Sequence, residues 1–133
     1  MVASTIIAID PGGTTGLATR ATYGGQTDLK VCVTETREEL FEFILSVHPT
    51  TIIIERFATA GRLSKDGLYT IELVGGVKAL CFDHKIPLII HTPQQRKAWL
   101  HLAEAWLVGH YPDHTEHELD ALAHLLCYEE TGL

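Results

Sequence analysis

The sequence predicts an α/β fold: a five-stranded mixed sheet, its first three strands antiparallel and strands 1, 4 and 5 parallel, flanked by helices. Three observations carry this reading. The apolar periodicity changes along the chain in the order strand, strand, strand, helix, strand, helix, strand, then helices. The run Thr51-Ile-Ile-Ile-Glu55 is apolar on both faces, as in a strand buried within a parallel sheet. Strands 1 and 4 are joined through a helix, and such a crossover makes them parallel and right-handed.

Each element has its own signal. Residues 4 to 10 form a short apolar run that stops at Asp10-Pro-Gly-Gly13, a strong turn sequence. Residues 15 to 22 and 28 to 35 read as two further strands, turned at Tyr23-Gly24-Gly25. Thr36 followed by Glu39 resembles a capping box, and Leu40, Phe41, Ile44, Leu45 and Val47 make a helical stripe that ends at His48-Pro49. Residues 67 to 84 predict a helix containing Gly75-Gly76. Its Leu68, Ile71, Leu73, Val74, Val77 and Leu80 exceed what one face can bury in a core, and Gly75-Gly76 permits close approach, so this helix is the candidate interface should the chain pair with a second copy. Ile86 to His91 is the fifth strand, and Pro93 opens a helix expected to run to about Val108. Thr115 with Glu118 starts a last helix ending at Glu129 or Glu130.

A length of 133 residues suits one domain spanning 1–133. With 46% hydrophobic and 20% charged residues, the composition is that of a globular chain and excludes disordered and fibrous classes. No segment approaches the roughly 18 apolar residues of a membrane span. The first residues lack the basic and long apolar regions of a signal peptide, so the expected location is the cytoplasm. Cys32, Cys81 and Cys127 are widely spaced among apolar neighbours and read as reduced core thiols. The formal charge of -7 opposes phosphate binding until its distribution is considered. Residues 1 to 55 hold 3 basic and 7 acidic side chains, 56 to 97 hold 7 and 3, and 98 to 133 hold none and 7. The middle segment is therefore the expected phosphate-facing surface.

Three acids stand out. Asp10 and Glu55 each end a strand, and on parallel neighbouring strands about 5 Å apart both carboxylates open at the same sheet edge. Two anions so placed repel unless a cation lies between them. On the last helix, positions 117, 120, 121 and 124 share a face, so His117 and Asp120 can point together towards the strand ends. Such a set of hard ligands suits a divalent-metal site that cleaves phosphodiesters.

Ile9-Asp10-Pro11-Gly12 with Thr15-Gly16, the strand-ending Ile54-Glu55, Gly75-Gly76, and His117-Glu-Leu-Asp120-Ala-Leu-Ala resemble, in order along nearly the whole chain, the RuvC family of Holliday junction resolvases. The resemblance implies an RNase H-like fold, a homodimer, and paired Mg²⁺-dependent nicks that resolve four-way DNA junctions. Asp10, Glu55 and Asp120 fall on the family's metal-binding acids, and His117 falls on a fourth position held by aspartate or histidine. The implied cofactor is Mg²⁺, with Mn²⁺ able to substitute, at two ions per active site. Candidate DNA contacts are Arg56, Phe57, Arg62, Lys65, Arg96 and Lys97. The chain departs from the family in a first hairpin one residue shorter, in Phe57 standing two rather than three places after Glu55, and in an abbreviated, base-poor stretch after Lys97.

Rival readings differ in what they require. Asp10-Pro-Gly-Gly-Thr-Thr-Gly also resembles the phosphate hairpin of the acetate and sugar kinase/actin-like ATPases, which need a second such domain. His110, Asp113, His114 and His117 have a spacing that permits zinc. An RNase H-like nuclease acting on RNA, or a non-catalytic module that holds branched DNA, would share the same fold.

Overall fold

Strand Ser4–Asp10 (β1) is held on both sides by backbone pairing, and helices cover both of its faces, which is why its middle, Ile6 to Ile9, is wholly apolar. On one side it pairs antiparallel with Thr15–Tyr23 (β2), which continues through a tight turn into Gln26–Thr34 (β3). On the other it pairs parallel with Thr51–Glu55 (β4), which pairs parallel in turn with Leu88–His91 (β5). The five strands lie in the order β3-β2-β1-β4-β5, consistent with the expected antiparallel first three strands and parallel strands 1, 4 and 5. The computed structural model describes residues 3–57 and 64–133.

Helices cover both faces. Arg37–Val47 (α1) and Lys65–His84 (α2) pack on one face, where Ile7, Ile9, Ile52 and Ile54 meet Leu40, Ile44, Leu73, Val74 and Val77. Leu100–His110 (α4) and Glu116–Thr131 (α5) pack on the other, where Ala8, Ala18 and Ile53 meet Ala103, Leu107, Ala121, Leu122 and Leu125. Each fully buried Ile or Leu here contributes about 1.5–3 kcal/mol. The two faces differ in volume for a reason: alanines on both sides of the second interface bring α5 close to the central strands.

Helix ends follow the predicted chemistry. The Thr36 side chain accepts from Glu39 N at 3.1 Å, and His48 closes α1 in the left-handed region. Thr115 N donates to Glu118 Oε1 at 3.0 Å at the start of α5.

The expectations for the helix after Pro93 and for the fifth strand require correction. The helix opened by Pro93 is not continuous to Val108: it breaks into Pro93–Lys97 (α3) and α4, with Trp99 N donating to Arg96 O at 2.9 Å across the turn. The break lets α3 stay over the strand ends while Trp99, Leu100, Ala103 and Leu107 turn onto the core. The fifth strand begins at Leu88 rather than Ile86. Of the six apolar residues singled out on α2, Leu73, Val74 and Val77 are core residues and Leu80 packs against them, which leaves Leu68 and Ile71 as the surplus. Gly76 has an internal reason too, because a Cβ there would meet the ring of Phe41 at 2.6 Å. Leu68, Ile71 and Phe82 remain exposed on α2, and a Cβ on Gly75 would meet nothing within 4 Å.

Candidate active site

Strand parity decides which side the acids face. Ala8 and Ile53 point to the α5 face of the sheet, and side chains two residues on point the same way, which places Asp10 and Glu55 beneath α5. The parallel register aligns Ile9 with Ile54 and Glu55 with His91, so three strand ends meet at one edge. From above, α5 supplies His117, Asp120 and His124 at positions that share its inward face.

That close approach depends on Gly16, which is paired with Asp10 across the antiparallel ladder. A side chain at Gly16 would run into the carbonyl of His117, so only hydrogen fits between β2 and the first turn of α5.

The acids sit in unequal surroundings. Asp10 is buried, and His117 Nδ1 lies 3.7 Å from its Oδ2. Burial, with Asp120 and Glu55 adding repulsion, pushes its carboxyl up to about 7. Burial also raises Asp120 above the usual carboxylate range despite the pull of Arg96. Glu55 goes the other way. Burial opposes its charge, but hydrogen bonds from His124 and Arg96 outweigh that and hold it below the usual range. Its Oε1 accepts both: from Arg96 Nε at 2.7 Å and from His124 Nε2 at 2.9 Å.

Arg96 reaches a second acid, with Nη1 3.6 Å from Asp120 Oδ1. A cation of the chain itself thus stands between Glu55 and Asp120. The sequence predicts Arg96 among the phosphate contacts; in the structure it enters the acid cluster from α3.

Behind Glu55 lies a pair of histidines that sequence reasoning did not single out. His124 and His91 are both fully buried, with their Nδ1 atoms 2.9 Å apart, and His91 Nε2 lies 2.6 Å from Leu133 O. Acceptors stand at both ends of this chain of contacts. Two neutral imidazoles carry two protons, so all three contacts are hydrogen bonds only when the pair holds one more. The signal was present in the sequence: position 124 shares a helix face with Asp120, and His91 ends the strand beside Glu55.

The remaining candidates divide clearly. Arg56, Phe57, Lys65 and Lys97 are exposed, on the strand-end side or on the starts of α2 and the end of α3. Arg62 lies outside the described residues. The alternative zinc cluster is not assembled: His110 Nδ1 faces Trp106 O at 2.8 Å, while His114 is engaged by Tyr111 O and Glu104. Among the described residues, no three His, Cys, Asp or Glu side chains are gathered closely enough to hold an ion without moving. The donor set nevertheless fits a divalent cation. It offers carboxylate oxygens and one imidazole, and Asp10, raised first by burial, is raised further by Asp120 and Glu55 despite the opposing pull of Arg96.

No protein-family model matches the sequence, and no curated protein matches it significantly. Solved structures do match. RuvC of Thermus thermophilus in complex with a Holliday junction substrate is similar with a TM-score of 0.72 at 20% identity, over 96% of each chain. A second Thermus thermophilus RuvC structure gives 0.69 at 20% identity over the same shares. The Fowlpox virus resolvase, in complex with its Holliday junction DNA, gives 0.68 at 12% identity, covering 95% of this chain and 99% of that one. The RuvC-like resolvase fold anticipated from the motifs is therefore the fold of this chain.

Proposed function

We propose that the protein is a divalent-metal-dependent endonuclease that resolves four-way DNA junctions, or closely related branched DNA, by paired nicks. The observation that carries this is the gathering of Asp10, Glu55 and Asp120 at one sheet edge, where burial first, and then repulsion from Asp120 and Glu55, raise the Asp10 carboxyl to about 7. The fold shared with two junction resolvases supports the choice of substrate.

Asp10, Glu55, Asp120 and His117 would hold the metal, with Mg²⁺ the proposed ion and Mn²⁺ its substitute, at two ions per site. Metal held by these residues would supply a more acidic water as nucleophile and a counter-charge for the leaving 3′ oxygen. The chain's own residues do the rest. Asp10, central among the ligands, is positioned by the Asp10–Gly16 pairing; Glu55 is aimed by His124; His117, at the first turn of α5, is placed to orient water near Asp10. The exposed Arg56, Lys65 and Lys97 would, with Arg62, meet the DNA backbone, and the exposed Phe57 is the proposed wedge at the junction. Two nicks related by symmetry call for a homodimer, and the exposed Leu68, Ile71 and Phe82 of α2 form its proposed interface.

The test is cleavage of a four-way junction against duplex, flap and RNA–DNA hybrid, with and without Mg²⁺. Metal-dependent, junction-selective cutting supports the proposal. Preference for the hybrid would point to an RNA-acting nuclease, and binding without cutting in any metal would leave a branched-DNA binding module.

A further inference from the structure

Arg96 stands where a cation is required, yet it is a side chain and can leave. Its Nε and Nη1 reach Glu55 and Asp120, two acids from different elements with no other charged link between them among the described residues. Glu55 Oε1 is fully engaged by Arg96 and His124, so the carboxylate meets the site with one oxygen already committed. Arg96 rides on a five-residue helix ended by a turn, and about a quarter of its side chain is exposed, so rotation about its own side-chain bonds carries it to the rim.

Charge counting shows why it would have to go. Three carboxylates and one scissile phosphate carry four negative charges, which two divalent ions balance. A guanidinium left between Glu55 and Asp120 would be an excess positive charge within a few ångströms of both ions, and like charges so close in a half-buried site repel strongly.

We infer that Arg96 is a built-in competitor for the metal site: it bridges Glu55 and Asp120 while no metal is bound, and it is expelled from that bridge when divalent ions load. The bridge keeps the acid cluster folded and partly neutral between turnovers. Once released, the guanidinium lies at the rim, free to take a DNA phosphate, so that metal loading and substrate binding favour each other through one side chain. This rests on the proposed reading of Asp10, Glu55 and Asp120 as metal ligands.

Binding of Mn²⁺ in the absence of DNA, measured by titration calorimetry on the metal-free protein, tests the competition without any activity readout. Arg96→Gln should tighten Mn²⁺ by at least about tenfold, because the ion no longer has to displace a resident charge. Lys97→Gln, which removes an exposed charge one residue away, should change affinity far less. In the unmodified protein, the Arg96 Nε–H resonance should be protected from solvent exchange by the Glu55 hydrogen bond and lose that protection as Mg²⁺ is added. This second measurement stands even if the variant folds poorly. Wild-type or weaker Mn²⁺ binding in Arg96→Gln, an equal gain in Lys97→Gln, or an Arg96 resonance that stays protected at saturating Mg²⁺ would each overturn the inference. Failure of every form to bind Mn²⁺ at millimolar concentration would instead remove the metal-site reading, and the competition with it.

Discussion

Gly16 and His117 are in backbone contact: the α-carbon of one lies so near the carbonyl of the other that no side chain can be accommodated between them. The contact fixes the height of α5 above the sheet, and with it the distance between Asp120 and the strand-end acids. Gly16→Ala should therefore lower stability by about 3 kcal/mol, through the overpacking of rigid backbone, and lower cleavage further than the stability loss explains. Thermal unfolding and cleavage rates of the same preparation separate the two. Gly75→Ala is the contrasting case, since space is open there; it should be neutral or stabilising by up to about 1 kcal/mol, and should weaken self-association if α2 is the dimer interface.

Asp10→Asn should cut cleavage by several orders of magnitude while leaving junction binding in Ca²⁺ nearly unchanged, because the amide removes the ligand charge central to the site. It should also stabilise the metal-free protein near neutral pH, since it relieves repulsion from Asp120 and Glu55. A variant that unfolds more easily than wild type without metal would contradict this account of the charge cluster.

The same carboxyl governs the pH dependence. Asp10 is raised from 3.8 to about 7, so between those values the unfolded chain has released a proton that the folded chain keeps. Fewer protons on the unfolded state means stability declines as pH rises through this window, levelling off above about 7. Denaturant unfolding of metal-free protein at pH 5 and pH 8 should show it. Excess Mg²⁺ should abolish or reverse the trend, because metal needs the ionised form, and its affinity should fall about tenfold per pH unit below about 7.

His117 lies within reach of Asp10 at 3.7 Å and is partly exposed at the first turn of α5. His117→Ala should lose most of the cleavage rate and keep DNA binding, whereas His117→Asp should retain activity, since a carboxylate can serve as ligand at that position. Wild-type rates in the alanine variant would reduce the site to Asp10, Glu55 and Asp120.

His124→Leu leaves Glu55 with one donor and His91 Nδ1 with none, two buried groups losing a partner at once. The expected cost is about 2–3 kcal/mol, with weaker metal binding as Glu55 loses its orientation. Replacing His91 by Phe in addition should recover part of the stability and none of the metal affinity. Additive losses in the double variant, measured by denaturant unfolding, would show that the two histidines do not act as a unit.

The order of elements, the sheet topology and the edge that gathers the acids were all legible in the sequence. Periodicity, turn residues and the handedness of a crossover are local or nearly local constraints, and Ile-Ile-Ile-Glu55 after a helix admits few placements beside Ile-Ala-Ile-Asp10. Even the facing of Asp10 and Glu55 towards α5 follows from strand parity. Tertiary structure alone decided which positive charge stands among the acids. Arg96 reads as a surface residue until the chain breaks at Trp99, and that break arises because Trp99, Ala103 and Leu107 must meet a core built by distant strands. The buried His91–His124 pair has the same origin, since 33 residues separate partners whose meeting depends on how closely α5 settles over β5. Gly16 set that approach, and its meaning was equally hidden: only when α5 lies across β2 does the missing side chain become the reason that the site closes.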